Sequence, residues 1–589
     1  MNKNYALPTE ADVNQKGTLK RAWKNLWPLM EGQRINLAIA TFAIVVSSVA
    51  TLLAPFVIAK AVDAYIGHGN FAGLTNSAIM LFGLYVVTLI ASYFQTNRMG
   101  TLGRGVLFKL RNELFMKIQN LPIAFFNQNK TGDLISRINS DTDKLNQFFA
   151  QALVQFIGSV FLMAGAAIFL IVLNAKLGIA TLIPAVLVFL ITQLLSSWVK
   201  ARSRAGLQSL GSMSAEIQES LDNFKVIVAF NRLDYFREKF KKANDQNYNA
   251  SVSAGVASNL FTPIYGLASN LGLLVVLALG LYFITTGHLT IGLLIGYVLY
   301  ANSFYAPLRQ LATVWSSLQL ALASLDRIQD VLGLESDMPI IEDSGPITPE
   351  APLVEFKNVS FMYPNGKTVL RDLNLSLERG KTYALVGPTG GGKTTTASLM
   401  ARLYDPTGGI IALEGRDIRA YDPALRAQKI GFILQEPFLF SGTVRDNIVY
   451  GNPEFAEKSE DELLQALDDA HLMRLVSRFE DGLETKVSAN SDRLSLGQKQ
   501  LIAFMRAMLR KPDLLILDEA TANIDTVTEQ LLEEILAQLP KSTTKVIIAH
   551  RLNTIQDADE IFFVNSGTIT PAGSMEKAVE LLMHGKRET

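Results

Sequence analysis

What most limits this chain is where its charges are missing. From Gln246 to Leu308 there is no Asp, Glu, Lys or Arg, and only His288 interrupts the run. Four more charge-free runs cover 35–59, 70–97, 145–175 and 177–199. A bilayer core takes about 20 apolar residues per helix. The longest run therefore holds two helices, split by the turn-like Thr285-Thr286-Gly287-His288. Six transmembrane helices are predicted, near 35–59, 75–96, 150–174, 177–199, 259–284 and 290–308. The alternative, six buried core helices of a soluble domain, asks for the same coincidence six times.

Composition agrees. Charged residues make up 18% of the 589, against about 25% in soluble chains, and the deficit lies in the first half. Lys+Arg and Asp+Glu both number 54, so there is no global basic field and no nucleic-acid partner is expected. The absence of cysteine excludes disulfides, Cys-ligated zinc, iron–sulfur clusters and thiol catalysis.

Lys and Arg crowd the segments after the second predicted span (Arg98, Arg104, Lys109, Arg111, Lys117) and after the fourth (Lys200, Arg202, Arg204, Lys225, Arg232). Lys176 alone lies between spans three and four. The positive-inside bias places both termini and both long loops in the cytoplasm. No cleaved signal peptide is expected, because the first 34 residues lack a short apolar core. The loops carry a helical pattern at 102–121 and 214–240. They are read as extensions of the membrane helices, with hairpins lying on the bilayer as the alternative. Asp337-Met338-Pro339 and Pro346, Pro349 and Pro352 mark a linker. The expected organisation is a cytosolic segment 1–34, an all-α six-helix membrane domain 35–335, a linker 336–352 and an α/β domain 353–589, with no internal repeat.

The sharpest motif is Gly387-Pro388-Thr389-Gly390-Gly391-Gly392-Lys393-Thr394, which fits G-x-x-x-x-G-K-[ST]. The apolar run 382–386 before it reads as a strand, and 395–402 after it as a helix. Such a loop curls its N–H groups around phosphate at a helix N-terminus. Lys393 would neutralise the β- and γ-phosphates, and the Thr394 hydroxyl would ligate Mg²⁺. Downstream, Asp513-Leu-Leu-Ile-Leu517 reads as a buried strand delivering Asp518 and Glu519. Asp518 would hold Mg²⁺, and Glu519 would act as general base on the attacking water. Ser495-Leu496-Gly497-Gln498 precedes a predicted helix 499–509 and reads either as an anion site or as a simple helix cap.

In this order the motifs resemble the ATP-binding cassette (ABC) exporters of the fused type, with the membrane domain first, over nearly the whole chain. The matching pieces are Tyr363, the loop 387–394, Gln435, the signature 494–498, Asp518-Glu519, the D-loop Ala522–Asp525 and His550. The resemblance implies ATP and Mg²⁺ as ligands. It implies that Tyr363 stacks on adenine and that Gly387, Thr389–Thr395, Ser495, Gly497, Gln498 and Asp525 line the nucleotide. It implies that Gln435 reaches the metal and the attacking water, and that His550 contacts the γ-phosphate. Two nucleotide domains would close head to tail, each ATP lying between one chain's loop and the other's signature. Residues 121–137 with Asp141 resemble the first intracellular loop, and 223–230 the second, whose short helices dock on nucleotide domains.

The sequence departs from the family's pattern at Leu496, where glycine is usual, and in the D-loop Ala-Asn-Ile-Asp. With Glu519 and His550 intact, this resembles the catalytic-Glu subunit of heterodimeric multidrug exporters, whose partner carries the standard signature and lacks that Glu. The alternative is a homodimer tolerating leucine; glycine there would offer positive φ and close backbone approach. The charge-free spans suit hydrophobic or amphiphilic cargo, and no processing-protease domain is read ahead of them. The other functions considered are a homodimeric lipid flippase and a non-transporting membrane ATPase sensor. The expected location is a bacterial inner membrane.

Overall fold

The computed structural model describes residues 4–8, 27–28, 30–66, 68–342, 345, 347–348, 350–456, 458–488, 494–518, 526–548 and 558–584. Helices fill its first half: α1 (Arg34–Ile66), α2 (Phe71–Gln119), the short α3 (Ile123–Gln128), α4 (Thr131–Leu173), α5 (Ala175–Asp222), the short α6 (Phe224–Ala229), α7 (Leu233–Thr285) and α8 (Ile291–Leu332). Among the described residues, the six long ones are apolar enough to cross a membrane. At 1.5 Å per residue the 49-residue α2 is about 74 Å long, against a hydrocarbon core of about 30 Å. α2 and α5 therefore run past their apolar spans without interruption where the charge begins, whereas α7 is interrupted by a turn at Leu260. The predicted helical stretch 214–240 is broken instead, by α6 and the turns flanking it.

Two compact units divide the chain: Pro8–Ile118 with Gly132–Gly333, and Met1–Leu7 with Gln119–Thr131 and Leu334–Thr589. In the helical unit, polar caps set the short turns. The Asn174 side chain accepts from Leu177 N (3.2 Å) to start α5. Thr290 accepts from Leu293 N (3.3 Å) to start α8, where the Asp63 carboxylate also accepts from Gly292 N (2.8 Å) and from the Thr290 hydroxyl. The hub is α8. Its buried tyrosines Tyr297, Tyr300 and Tyr305 donate to the carbonyls of Leu170 (2.7 Å), Leu52 (2.8 Å) and Thr181 (2.6 Å), on α4, α1 and α5. Such bonds join helices where the hydrophobic effect between them is weak.

Below its apolar span α4 makes two π-helical turns, Arg137–Asp141 and Phe148–Ala152. At the first, Asp133, Arg137 and Asp141 meet α8 in a buried ionic knot. Arg327 bonds Asp133 (2.7 Å) and Asp141 (3.0 Å), Arg137 bonds Asp133 (2.8 Å) and the Arg327 carbonyl (2.6 Å), and Ser324 donates to Asp141 (3.0 Å). Arg137 and Asp141 are both 0% exposed. Removing one member leaves a buried charge uncompensated, at about 3–5 kcal/mol. Asp141→Ala is expected to lower the thermal unfolding midpoint of the solubilised chain, while the exposed-pair variant Asp234→Ala leaves it nearly unchanged.

In the second unit β1 (Val354–Met362), β2 (Thr368–Leu377), β4 (Gly408–Leu413) and β5 (Arg416–Asp417) form an antiparallel sheet in the order β2-β1-β4-β5. The larger sheet has the order β12-β11-β3-β10-β9-β6, from β3 (Thr382–Val386), β6 (Ile430–Ile433), β9 (Leu514–Asp518), β10 (Thr544–Ile548), β11 (Glu560–Asn565) and β12 (Thr568–Pro571). All its pairings are parallel except β11 with β12. Every residue of β9 is buried, as a strand covered on both faces requires.

The proline-bearing stretch after α8 is docked on this unit. Pro339 O accepts from Arg402 (2.7 Å), Ile341 N donates to Arg419 O (3.2 Å) and Thr348 N donates to Glu414 O (3.0 Å). Glu414 is nearly buried. Burial pushes its carboxyl pKa up, but bonds from Arg379 (2.6 Å) and Lys429 (3.0 Å) outweigh that and hold it below the ordinary range. Its contribution to stability is complete above the unfolded value of about 4.3 and disappears as pH falls through the lower folded value. Glu414→Gln is expected to lower the melting temperature at pH 7 and to flatten its decline in acid, checked by unfolding from pH 7 to 3.

Candidate functional site

The site is built at one end of the parallel sheet. The ladder pairs Ile548 with both Leu385 and Asp518, and Ile433 with Leu517. The carboxyl ends of β3, β10, β9 and β6 therefore come out on one edge, where open α/β sheets bind ligands. The loop 387–392 leaves β3 there and enters α9 (Lys393–Met400), two residues earlier than its sequence indicated.

Two glycines make the loop's path possible. Gly387 has φ 150° and packs so closely on the Val564 carbonyl of β11 that a Cβ would collide with it. Gly392, at φ 116°, is the N-cap of α9. The tight curl brings the Lys393 ammonium back over the loop, donating to the carbonyls of Gly387 (2.8 Å) and Pro388 (3.1 Å). Lys393 is only 6% exposed, so a full positive charge is held among backbone groups at a helix N-terminus. Thr395 and Thr396 are buried behind it.

Thr394 Oγ1 lies 3.3 Å from Asp518 Oδ1. A hydroxyl and a carboxylate side by side, next to a phosphate-binding loop, fit Mg²⁺, which takes one or two protein oxygens and completes its shell with phosphate and water. Among the described residues no cluster of three or more His, Cys, Asp or Glu is placed to hold a metal ion. Gln435, two residues beyond β6, is exposed on the same edge. Glu519, Asp525 and His550 lie outside the described residues.

Tyr363 follows β1 directly. Its hydroxyl is 3.0 Å from Thr395 Oγ1, and its ring stands edge-on to Phe361 and Tyr404, centroids 4.9 and 5.5 Å away. Tyr363 thus closes a strand among aromatic neighbours and is tied directly to α9. Tyr404 was not among the sequence candidates. Its hydroxyl accepts from Asn127 Nδ2 of α3 at 2.7 Å. Burial pushes its phenol up, and the Asn127 bond opposes that only partly.

The signature opens α10 (Leu496–Met508). Ser495 Oγ accepts from Gln498 N (3.2 Å) and Gln498 Oε1 accepts from Ser495 N (3.0 Å), a reciprocal capping box. The cap uses the serine oxygen as acceptor and leaves its proton for an anion, so the two sequence readings are compatible. Leu496 is the first helical residue and has no positive φ. Leucine adds exposed bulk at this position, on an ordinary helical backbone.

A helical membrane unit and an α/β unit with a lysine-bearing phosphate loop define a membrane-embedded nucleotide hydrolase. Comparison with known proteins places it. The family model for the ABC transporter transmembrane region matches residues 37–308, and that for the ABC transporter matches 370–522. An uncharacterized ABC transporter ATP-binding protein of Bacillus subtilis, YfiC, is 33% identical over 96% of this chain and 92% of its own length. A fatty acid ABC transporter ATP-binding/permease protein of Mycobacterium bovis is 34% identical over 86% of the chain and 80% of its own. A multidrug resistance ABC transporter ATP-binding and permease protein of Lactococcus lactis is 30% identical over 92% and 90%. The chain belongs to the ABC transporter family, as an exporter-type half-transporter that hydrolyses ATP to drive transport.

Gly387→Ala should test the loop. The added methyl meets the Val564 carbonyl, so affinity for a fluorescent ATP analogue is expected to fall at least about tenfold, or about 1.4 kcal/mol. Gly390→Ala, which meets nothing within 4 Å but sits at φ 81°, should cost less.

Proposed function

We propose that this chain is the catalytic-Glu half of a heterodimeric exporter of hydrophobic or amphiphilic compounds. The observations that carry the reading are the Lys393 ammonium held over the loop carbonyls and the Thr394–Asp518 pair, on a chain whose six predicted spans lack Asp, Glu, Lys and Arg. ATP would lie with its adenine on Tyr363 and its phosphates in loop 387–394. Thr394, Asp518 and Gln435 would hold Mg²⁺, which withdraws charge from the phosphate oxygens. Glu519 would take the proton of a water whose oxygen attacks the γ-phosphorus, as the bond to the bridging oxygen breaks and ADP leaves with its electrons. Lys393 and His550 would stabilise the charge on the γ-phosphoryl oxygens. Asp525 would lie near the second nucleotide domain, and Ser495, Gly497 and Gln498 would face the ATP bound by the partner.

Two features support a partner chain. The short α6 presents Phe224, Val226 and Val228 exposed, with Phe230 just beyond it. Next to Gln435 lies an exposed aromatic patch, in which Phe440 stacks on Tyr450 (4.2 Å) with Phe438 edge-on to it (5.2 Å). A partner's equivalent of α6 would dock on such a patch. The bulk of Leu496 favours a different chain as that partner, because it would crowd the ATP facing it. The membrane would be a bacterial inner membrane, with both termini in the cytoplasm. The cargo class follows the uncharged spans and agrees with the fatty acid and multidrug names of two relatives.

The deciding experiment measures Mg²⁺-ATPase activity and oligomeric state of the chain in nanodiscs, alone and with a co-expressed exporter subunit. Activity only with the second subunit, cut at least about 100-fold by Glu519→Gln, is expected. An active homodimer would overturn the heterodimer. Stimulation by one lipid alone, and not by unrelated hydrophobic drugs, would overturn the broad cargo class in favour of a dedicated flippase.

A further inference from the structure

We propose that Tyr5 is a positioning residue for the nucleotide site, acting through α3 and Tyr404 on the ring of Tyr363; this rests on the reading of Tyr363 and Lys393 as the ATP site. Tyr5 is 1% exposed. Its N–H donates to Gln128 Oε1 (3.0 Å) and its carbonyl accepts from Asn129 Nδ2 (2.9 Å). Leu7 N–H donates to Asn129 Oδ1 (2.9 Å). Asn129 also donates to Phe125 O (2.7 Å), so the residue that closes α3 is the one the N-terminal segment grips. The Tyr5 phenol reaches the stretch after α8: it donates to Asp337 Oδ1 and accepts from Asp337 N–H, both at 2.8 Å. Burial and the Asp337 carboxylate push the phenol pKa up, so the hydroxyl keeps its proton.

From α3 the contacts continue inward. Asn127 donates to the Tyr404 hydroxyl (2.7 Å), the Tyr404 ring stands edge-on to Tyr363, and the Tyr363 hydroxyl meets Thr395 on α9 (3.0 Å). All of these residues belong to one compact unit. Tyr5 is separated from Gln128 by 123 positions and from Asp337 by 332. Closing loops of that length costs chain entropy, which a buried ring and paired backbone groups offset. The grip falls at the C-terminal end of α3, next to Asn127, the residue that reaches Tyr404. Without Tyr5, α3 keeps the Asn127 bond but loses the grip that fixes its end. The expected consequence is a less well-placed Tyr363 ring and weaker ATP binding, with the chemistry of hydrolysis intact.

The test uses the full chain in its ATP-hydrolysing assembly in nanodiscs. Tyr5→Ala is expected to speed backbone hydrogen exchange in 121–129 and 333–340. It should raise KM for MgATP about threefold or more while leaving kcat within twofold, with Tyr5→Phe in between. In a Tyr404→Phe background, Tyr5→Ala should add little further change in KM, since both act on one route. Faster exchange with an unchanged KM would make Tyr5 merely structural and overturn the proposal. Unchanged exchange would overturn the grip itself. If Tyr5→Ala does not fold, Tyr5→Phe carries both readouts. Lys393→Ala is the control: if it hydrolyses ATP like the unaltered chain, the reading of the nucleotide site fails, whereas the exchange result still judges the grip.

Discussion

Thr394 and Asp518 are separated by 124 positions and by 3.3 Å, and the parallel ladder through β10 is what brings them together. Ile548 of β10 pairs on one side with Leu385 and on the other with Asp518. A slip of one residue in either pairing would turn every side chain of that strand to the opposite face. The carboxylate would then point away from the loop. The site is therefore only as well made as the register of these three strands, of which β9 is buried throughout and β3 and β10 are buried or half-buried. The chemistry at the strand ends uses the residues where the apolar run stops.

A different constraint rules the helical unit. Inside a bilayer a polar group without a partner costs several kcal/mol. The tyrosines of α8 donate to carbonyls of three other helices. These rings are fully buried and serve the packing of the helices. Aromatic residues that remain open on the spans, such as Phe42, Phe82 and Phe189, are simple apolar groups.

How much of this was legible follows from how local each signal is. The spans were legible because exclusion of charge over a whole helix is a property of consecutive residues. The phosphate loop was legible for the same reason, as eight adjacent positions each with a steric or electrostatic duty. The first π-helical turn of α4 was not, because its Arg137 and Asp141 find their partners on α8, as much as 190 positions away. Tyr404 and Asn127 were invisible as well: each is an ordinary residue until the fold brings the two within 2.7 Å. The proline-rich stretch 336–352 reads as a linker by composition, and the bonds of its Pro339 and Ile341 to Arg402 and Arg419 come into view only in the fold. Proline content reports a lack of regular hydrogen bonding and says nothing about docking. At Leu496 the sequence shows a departure from the family's pattern, whereas its place as the first residue of a helix is visible only in the fold.

The ionic knot between α4 and α8 has a mechanical consequence. Two helices that only touch through methyl groups can slide past one another by small steps, since one set of dispersion contacts replaces another at little cost. Helices riveted by Asp133, Arg137, Asp141 and Arg327 cannot, because each step would strip a buried ion of its counter-ion before the next is reached. The pair therefore behaves as one stiff beam near the rivet. Bending is left to places where the backbone ladder is already interrupted, and four of the membrane helices carry a proline within them: Pro55 in α1, Pro184 in α5, Pro263 in α7 and Pro307 in α8. Flexure and stiffness are thus written into different stretches of the same helices.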